Sequence, residues 1–284
     1  MLFIEKYISV HNSPRSRILP IELGIENIRL QKSFSPIKSI YQTPLNIDLK
    51  KLPSKESVLV EYDGNVFFNL WLVLFLKLRL NKVVLDCHNS AIENQSGHFT
   101  RYLLNRIYLF SLDKISFVKI IVHNRAIKPR FIRSEVLETP YPKITIPKLP
   151  NSNFDIVFCC SLNSDEPLDR ILKWCRELKI RGKSTLITGN YNKVKNRYDS
   201  EFFSKDFLSY NEYIEILAGC KLSVALTTRE DTLLFSPRES IVLKTSCLVN
   251  NSSVNRDFYG SKVSYLSLND SDGQIVDTIL SLCK

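Results

Sequence analysis

Short apolar runs alternate along the chain with longer amphipathic stretches. Runs rich in Val, Ile and Leu, such as Ser57–Tyr62 (SVLVEY) and residues 83–89, have the length and composition of buried strands. The stretches that follow them, residues 66–80 and 99–115, have the spacing of apolar positions typical of helices. Strands that alternate with helices predict βαβ units and parallel sheets, so the predicted fold class is α/β.

The alternation is interrupted between residues 129 and 153, where five prolines occur. Proline fixes φ and removes a backbone donor, so this stretch is predicted to form neither a helix nor a central strand. We therefore expect two Rossmann-like domains, residues 1–140 and 141–284, with a ligand-binding cleft between the carboxyl ends of their sheets. In the second domain, strands are predicted at 155–160, 184–190, 205–208, 221–228, 246–251 and 263–268, and helices at 165–179, 211–220, 236–245 and 273–283.

The positive charge of the chain is confined to its first half. Residues 1–150 contain 22 Lys or Arg and 12 Asp or Glu, a net charge of 22 − 12 = +10, whereas residues 151–284 contain 17 of each kind. A basic half favours an anionic partner such as nucleic acid, an anionic membrane or a phosphorylated substrate; solubility alone is the other explanation. Since no RNA- or DNA-binding motif accompanies the charge, nucleic acid is not an expected partner.

Several motifs that would assign other functions are absent from the sequence. It has no GxGxxG of dinucleotide-binding folds, no GxxxxGK[ST] of P-loop enzymes and no GxSxG of hydrolases. The seven cysteines include no CxxC pair, which favours buried, reduced thiols over a zinc site. The Asp270-Ser271-Asp272 sequence precedes a predicted helix, so we interpret it as a cap rather than a metal site. Neither a metal nor a cofactor is expected.

Residues 69–80 (NLWLVLFLKLRL) form a strongly apolar stretch. The uninterrupted apolar run within it, Leu70–Leu76, is far shorter than the roughly 20 residues that cross a bilayer. A helix packed in the core is the main interpretation, and a helix lying at a membrane interface is the alternative. The amino terminus carries Glu5 and Lys6 where a signal peptide would need its apolar core, so the expected location is the cytoplasm.

Two segments of the first half carry candidate chemistry. Ser13, Arg15 and Ser16 follow the first predicted strand, where hydroxyl, guanidinium and backbone donors can bind an anion. A capped helix with solvent-facing arginines explains them equally well. Asp86 and His88 lie at the end of another strand, where His88 can act as a general base oriented by Asp86. A purely structural histidine is the alternative.

Two segments of the second half are candidates for binding a diphosphate. After one strand, a glycine either lets the backbone approach a ligand closely or serves a left-handed turn. After another strand, hydroxyls and an arginine lie beside a helix amino terminus, where the helix dipole and the donors act together on an anion. Glu239 in the first turn of that helix either accepts from ribose hydroxyls or only complements the helix dipole. The candidate donor-binding residues are Gly189, Asn190, Thr228, Arg229, Glu230, Thr232, Arg238 and Glu239.

The order of these features resembles that of GT-B glycosyltransferases of the bacterial polysaccharide-biosynthesis type. In the second half, Ser161 with Asp165-Glu166-Pro167, then residues 188–191 and 226–230, precede the helix that carries Glu239, as in the donor domain of that family. In the first half, residues 86–89 (Asp-Cys-His-Asn) are similar to the Asp-Trp-His-Asn of dolichol-linked mannosyltransferases. The resemblance covers nearly the whole chain.

The resemblance implies a metal-independent transferase in surface polysaccharide assembly. The second domain would bind a nucleotide-sugar donor, with Thr228, Arg229 and Thr232 near its diphosphate and Glu239 near its ribose. The first domain would bind a glycan or lipid-linked diphosphate acceptor, with His88 near the reacting centre. Its basic charge would place the enzyme peripherally on an anionic membrane surface, at the inner face of the membrane.

Two departures from the family pattern keep another interpretation open. The first loop of the donor domain, Ser161–Ser164, lacks the expected cation, so Arg229 or Arg238 would have to replace it. Glu230 and Glu239 are separated by eight residues rather than the family's seven, which leaves the stereochemistry of transfer open. A catalytically degenerate glycosyltransferase-like protein that binds a partner is therefore the alternative function.

Overall fold

The computed structural model describes residues 4–9, 19–21, 23–29, 52–62, 66–87, 99–114, 118–122, 134–145, 153–204, 208–230 and 232–283. The candidate residues Ser13, Arg15, Ser16 and His88 lie outside these ranges. The chain divides into two compact units, Met1–Pro140 and Tyr141–Lys284. Each unit contains one sheet, and all strand pairs within the described ranges are parallel. The predicted α/β class with parallel sheets is confirmed.

The first unit is built on a six-stranded sheet in the order β2-β1-β3-β4-β5-β6. Helices α1 (Val66–Leu78) and α2 (Phe99–Lys114) pack on one face of this sheet and bury side chains such as Leu72 and Leu109. In the part of the proline-rich stretch that the structure describes, residues 134–145 and 153, the one regular element is the two-residue β6, which forms an edge of the sheet. The strands are β1 (Lys6–Ser9), β2 (Glu26–Arg29), β3 (Ser57–Tyr62), β4 (Lys82–Cys87), β5 (Lys119–Val122) and β6 (Glu135–Val136).

The second unit is built on a five-stranded sheet in the order β11-β10-β9-β7-β8. Helices α3 and α7 cover one face around Trp174, and α4 and α5 cover the other around Leu217. The strands are β7 (Ile156–Phe158), β8 (Thr185–Ile187), β9 (Leu222–Ala225), β10 (Ser246–Asn250) and β11 (Ser264–Leu266). The helices are α3 (Leu168–Ile180), α4 (Tyr210–Gly219), α5 (Ser236–Leu243), α6 (Ser253–Tyr259) and α7 (Asp272–Leu282).

Two details of the second unit differ from the prediction, and a third lies mostly outside the described residues. Helix α3 begins three residues later than predicted, because Pro167 is its amino-terminal cap residue and the preceding residues belong to a loop. Helix α6 is not predicted, since its short and mostly polar sequence resembles a loop; Ser252 caps it and Tyr259 anchors it in the core. Most of the predicted strand at 205–208 lies outside the described residues, and Phe203 forms a parallel bridge with Ile187.

The cysteines and the apolar stretch at 69–80 are mainly core residues. All seven cysteines are free, five of them buried and two half-buried, and burial raises the pKa of every thiol. Such thiols are poor nucleophiles at neutral pH. The apolar stretch supplies most of α1, whose inner side is packed in the core. None of the helices in the described part of the chain has the length and hydropathy of a bilayer-spanning segment.

The Asp-x-Asp sequence holds two helices of the second unit together. Ser271 is the amino-terminal cap of α7, as its side chain accepts from the backbone of Gln274. Asp272 Oδ1 accepts from Trp174 Nε1 and from Arg170 Nε, both at 2.8 Å, and these donors on α3 lower the pKa of the carboxyl group. The sequence therefore caps the helix as predicted, but through Ser271 rather than through an aspartate, and Asp272 joins α7 to α3.

We expect Asp272→Asn to destabilise the second unit by about 1 kcal/mol at neutral pH, because an amide replaces a charged acceptor that is partly screened by solvent. The pKa of Asp272 is lower in the folded state. Its contribution is therefore complete above an unfolded-state pKa of about 3.9 and is lost as the pH falls through the lower folded-state pKa. Urea unfolding followed by Trp174 fluorescence, in a Trp71→Phe background, measures this difference.

The matched control is Asp270→Asn. Arg170 binds Asp270 through the backbone carbonyl, which the substitution leaves in place. Equal losses of stability in the two variants, or a loss in Asp272→Asn that persists unchanged in strong acid, would contradict the assignment.

Candidate functional site

The carboxyl edge of the second sheet contains the point at which the strand order reverses. The chain passes from β7 to β8 on one side of it, and then to β9 on the other side. The loops after β7 and β9, residues 159–167 and 226–235, therefore leave the sheet in opposite directions. Doubly wound sheets bind ligands in the crevice that such loops form, so this edge is the candidate site.

The loop after β7 is closed by the side chain of Glu166. Its carboxylate accepts from the backbone and hydroxyl of Ser161, and from the backbone N–H groups of Leu162 and Asn163, at 2.7–3.3 Å. Burial raises the pKa of Glu166 in spite of these donors. The loop is consequently held in one shape by its own acidic residue. The sequence signal was the acidic pair before Pro167, which alone does not indicate this contact.

Asp165 joins the two diverging loops. Its backbone carbonyl accepts from the N–H of Thr228 at 2.7 Å and from the Thr228 hydroxyl at 3.0 Å. Its carboxylate accepts from the Thr227 hydroxyl at 2.9 Å and pairs with Arg229 Nη2 at 3.4 Å. The structure thus brings together Thr228 and Arg229, two of the predicted donor-binding residues, and adds Asp165 as the residue that positions them.

Gly189 lies against the loop after β7. Its φ is +105°, and a Cβ at this position would lie 2.8 Å from the carbonyl oxygen of Cys160 and 2.9 Å from Leu162 Cγ. The close backbone approach that requires glycine is therefore to the protein's own chain. Contact of Gly189 with a ligand remains a prediction.

The residues after Gly189 bring a cation to the same loop. Asn190 accepts from the backbone of Asn192 and caps the short turn Tyr191–Lys193. The turn directs Lys193 Nζ to the carbonyl of Ser161, at 2.9 Å. Sequence reasoning found no cation in the loop after β7 and missed Lys193, because the lysine comes from the neighbouring strand's loop.

Arg238 and Glu239, in the first turn of α5, are almost fully buried, at 2% and 5% exposure. The guanidinium of Arg238 lies over the rings of Phe258 and Phe235, with its Cζ 4.4 and 5.5 Å from their centroids. Glu239 lies near Tyr213, and burial together with the neighbouring Cys159 and Glu239 raises the pKa of the tyrosine. Their predicted contacts with a diphosphate and a ribose remain predictions.

The remaining donor-binding candidates lie in the loop after β9. Glu230 is exposed and Thr232 is half-buried. Their contacts with a donor remain predictions.

In the first unit, Asp86 is a buried residue of β4. It accepts from the Tyr7 hydroxyl at 3.3 Å and lies in register with Glu61 of β3, which is equally buried. Parallel neighbours in register point to the same face, so the two carboxylates share one side of the sheet. Sequence reasoning missed Tyr7 and Glu61; an acidic residue inside the apolar run SVLVEY was the available signal. The role of Asp86 in orienting His88 remains a prediction.

Metal-ligating side chains are dispersed in this structure. Within the described ranges, no group of three or more His, Cys, Asp or Glu side chains is arranged to hold a metal ion. The carboxyl edge of the second sheet gathers hydroxyls, backbone amides and the cations Lys193 and Arg229, which suit an anion, together with the carboxylates of Asp165 and Glu166 that hold the loops.

Comparisons of structure identify the fold, whereas comparisons of sequence do not. No protein-family model matches the chain, and no curated protein matches its sequence. The fold is similar to that of HepE from Anabaena in complex with UDP-glucose, with a TM-score of 0.62 at 10% identity over 97% of this chain and 89% of that one. It is also similar to an alpha-glucosyltransferase in complex with UDP-glucose and DNA containing an abasic site, with a TM-score of 0.62 at 13% identity over 99% and 90% of the two chains.

A third similar structure is larger. The GtfA/B complex matches with a TM-score of 0.52 at 15% identity over 82% of this chain, which spans only about half (52%) of that chain's length. These likenesses, together with the two parallel sheets, show that the chain has the GT-B fold of glycosyltransferases.

We expect Gly189→Ala to destabilise the second unit by about 2–4 kcal/mol, since the added methyl group meets a backbone oxygen and the left-handed φ is strained. The matched control is Gly182→Ala, where φ is +74° but nothing lies within 4 Å of the added Cβ. The control should cost only the backbone strain, about 1–2 kcal/mol. Urea unfolding of the two variants checks this, and equal losses would show that the contact with Cys160 does not restrict the position.

Proposed function

We propose that the chain is a glycosyltransferase that moves a sugar from a nucleotide-sugar donor to a glycan or lipid-linked acceptor in surface polysaccharide assembly. The observation that carries the proposal is the convergence of Arg229, Thr228 and Lys193 on the loop after β7, at the point where the strand order reverses. Hydroxyl and cationic donors at this place in a doubly wound fold suit the diphosphate of an activated sugar.

The two cations have distinct roles in the proposed site. Lys193 donates one hydrogen bond to Ser161, and an ammonium group has three N–H donors, so it retains donors for a phosphate. Arg229 is paired with Asp165, and a bound diphosphate would compete with this carboxylate for the guanidinium. Both cations would stabilise the charge that develops on the leaving diphosphate, a role that needs no metal ion. Metal independence is part of the proposal.

The nucleotide is proposed from the similar folds. HepE and the alpha-glucosyltransferase are both in complex with UDP-glucose. UDP-glucose is therefore the first donor to test, and Asn190, Gly189, Glu230, Thr232, Arg238 and Glu239 are the further residues proposed to line its site.

The first unit is proposed to bind the acceptor. In the proposed reaction, the acceptor hydroxyl attacks the anomeric carbon, and the bond from that carbon to the diphosphate oxygen breaks. The nucleoside diphosphate leaves with the bonding electrons, and His88 takes the hydroxyl proton as general base, oriented by Asp86. Ser13, Arg15 and Ser16 would bind a phosphate of a lipid-linked acceptor.

A membrane location accompanies this acceptor in the proposal. Such an acceptor lies at a membrane surface, and the net charge of +10 in residues 1–150 favours an anionic one. We therefore propose a cytoplasmic enzyme that associates peripherally with the inner face of the membrane.

A degenerate, binding-only protein is the second candidate. The ion pair between Arg229 and Asp165 and the burial of Arg238 favour it, because the protein's own groups already engage these cations. Calorimetry with UDP-, GDP- and CMP-sugars distinguishes the two functions. A transferase should bind one nucleotide class, whereas a binding-only protein should bind none of them.

We expect Arg229→Ala and Glu239→Ala each to cost about 2–4 kcal/mol of transition-state stabilisation, or roughly 30- to 1,000-fold in kcat/KM, because each removes a positioned charge.

Lys193→Ala should weaken donor binding in calorimetry, whereas Lys195→Ala, which removes an exposed lysine two residues away, should not. Near-parental turnover in both Arg229→Ala and Glu239→Ala, or equal effects of the two lysine variants, would refute the proposed site.

We expect His88→Asn to abolish the rise of kcat/KM with pH that deprotonation of a general base produces, because asparagine does not titrate. The measurement is the pH–rate profile between pH 5 and 9. An unchanged profile in the variant would exclude His88 as the base and leave the donor site unaffected.

A further inference from the structure

We propose that α1 and α2 together form a surface that binds an anionic lipid bilayer. This surface, the apolar face, consists of Leu70, Leu74 and Leu78 of α1 and Leu103, Ile107 and Phe110 of α2. The inference deepens the membrane location in the proposed function, but it stands on the first unit alone. A protein that binds no nucleotide-sugar could still have this property.

The two helices are apolar on both sides. On α1, Leu72 and Leu76 are fully buried in the core, whereas Leu74 and Leu78 of the same helix are 43% and 82% exposed. On α2, Leu109 is buried, whereas Ile107 is 54% exposed. A helix that only covers a sheet needs one apolar stripe, so the second stripe is not explained by the core.

The exposed residues form stripes on neighbouring helices. On α1 the exposed residues are spaced four positions apart, at 70, 74 and 78. On α2 they are spaced by four and then three positions, at 103, 107 and 110. Each set therefore occupies one side of its helix. Helix α1 connects β3 to β4 and α2 connects β4 to β5, so the two crossovers run in the same direction across the sheet. Both helices pack on the same face of the sheet and contact each other. The stripes therefore lie side by side and make one contiguous apolar surface. Contiguous apolar patches on soluble proteins mark interaction sites.

Among the described residues of α1 and α2, the exposed charged side chains are cationic. Residues 66–82 contain three Lys or Arg and no Asp or Glu, and the only acidic residue of α2, Asp113, is buried. Lys114 Nζ lies 5.9 Å from the centre of the Phe110 ring, and Arg79 Cζ lies 5.7 Å from that of Phe75. Cations that lie beside exposed aromatic and aliphatic groups match the headgroups and acyl chains of an anionic bilayer.

The positive charge indicates what binds to the apolar face. A second copy of the chain would bring an identical set of cations against the first, and facing like charges oppose such an interface. An anionic bilayer offers both the apolar phase for Leu78 and Ile107 and the negative charge for Lys114 and Arg106. We therefore assign the face to a lipid surface.

The test is flotation of the full chain with vesicles of phosphatidylcholine, with and without phosphatidylglycerol. The parent protein should float with the anionic vesicles and remain unbound with the neutral ones. Ile107→Glu should lower the partition coefficient at least tenfold, because it places a charge in the apolar phase. Arg106→Gln with Lys114→Gln should lower it about fivefold per cation removed.

Matched controls lie in the second unit. Ile180→Glu changes an apolar residue that is even more exposed, at 80% against 54% for Ile107, and Lys173→Gln with Lys195→Gln removes two exposed cations. Circular dichroism should show that all variants are folded, as each change is at the surface. The assignment is overturned if the parent binds neither vesicle or both equally, or if the controls lose as much binding as the variants. It is also overturned if sedimentation shows a dimer that Ile107→Glu dissociates. Because no nucleotide is used, these outcomes are independent of the donor-binding test.

Discussion

Asp165 holds together two loops that the strand order directs apart. One residue uses its backbone carbonyl for Thr228 and its carboxylate for Thr227 and Arg229, so both loops at the reversal point depend on it. Glu166 then closes its own loop through four contacts, and Lys193 fixes the other side at Ser161. The loops at this edge are therefore held in a fixed arrangement by the protein's own hydrogen bonds.

The elements of this fold were predictable because buried parallel strands carry a strong apolar signal. Runs such as Ser57–Tyr62 are covered on both sides, so most residues in them are apolar. Helix α6 has no such signal, since a seven-residue helix buries few side chains and four of its residues are polar or charged. Local pattern therefore identifies long buried elements better than short ones.

The contacts at the candidate site could not be predicted from the sequence. Strand ends followed by hydroxyls, glycine and arginine indicate where loops gather, and Asp165 of one such loop contacts Thr228 and Arg229 of another. That a donor binds there stays a prediction. The contact of Lys193 with Ser161 joins residues on two different loops, and the sequence has no pattern that pairs them. Arg238 illustrates the opposite case: an arginine at a helix start suggested an accessible cation, yet aromatic rings enclose it.

The boundary between the two units, at residue 140, affects the order in which they can fold during synthesis. Each unit is a single continuous segment, so the first can complete its sheet while the second is still being synthesised. The second unit follows it in the chain, and its central pairing of Ile156 with Leu222 cannot form until both strands have been synthesised. Such distant pairing forms slowly. The first unit contains a comparable pairing, Lys6 with Val58, so both sheets are completed through contacts between distant segments.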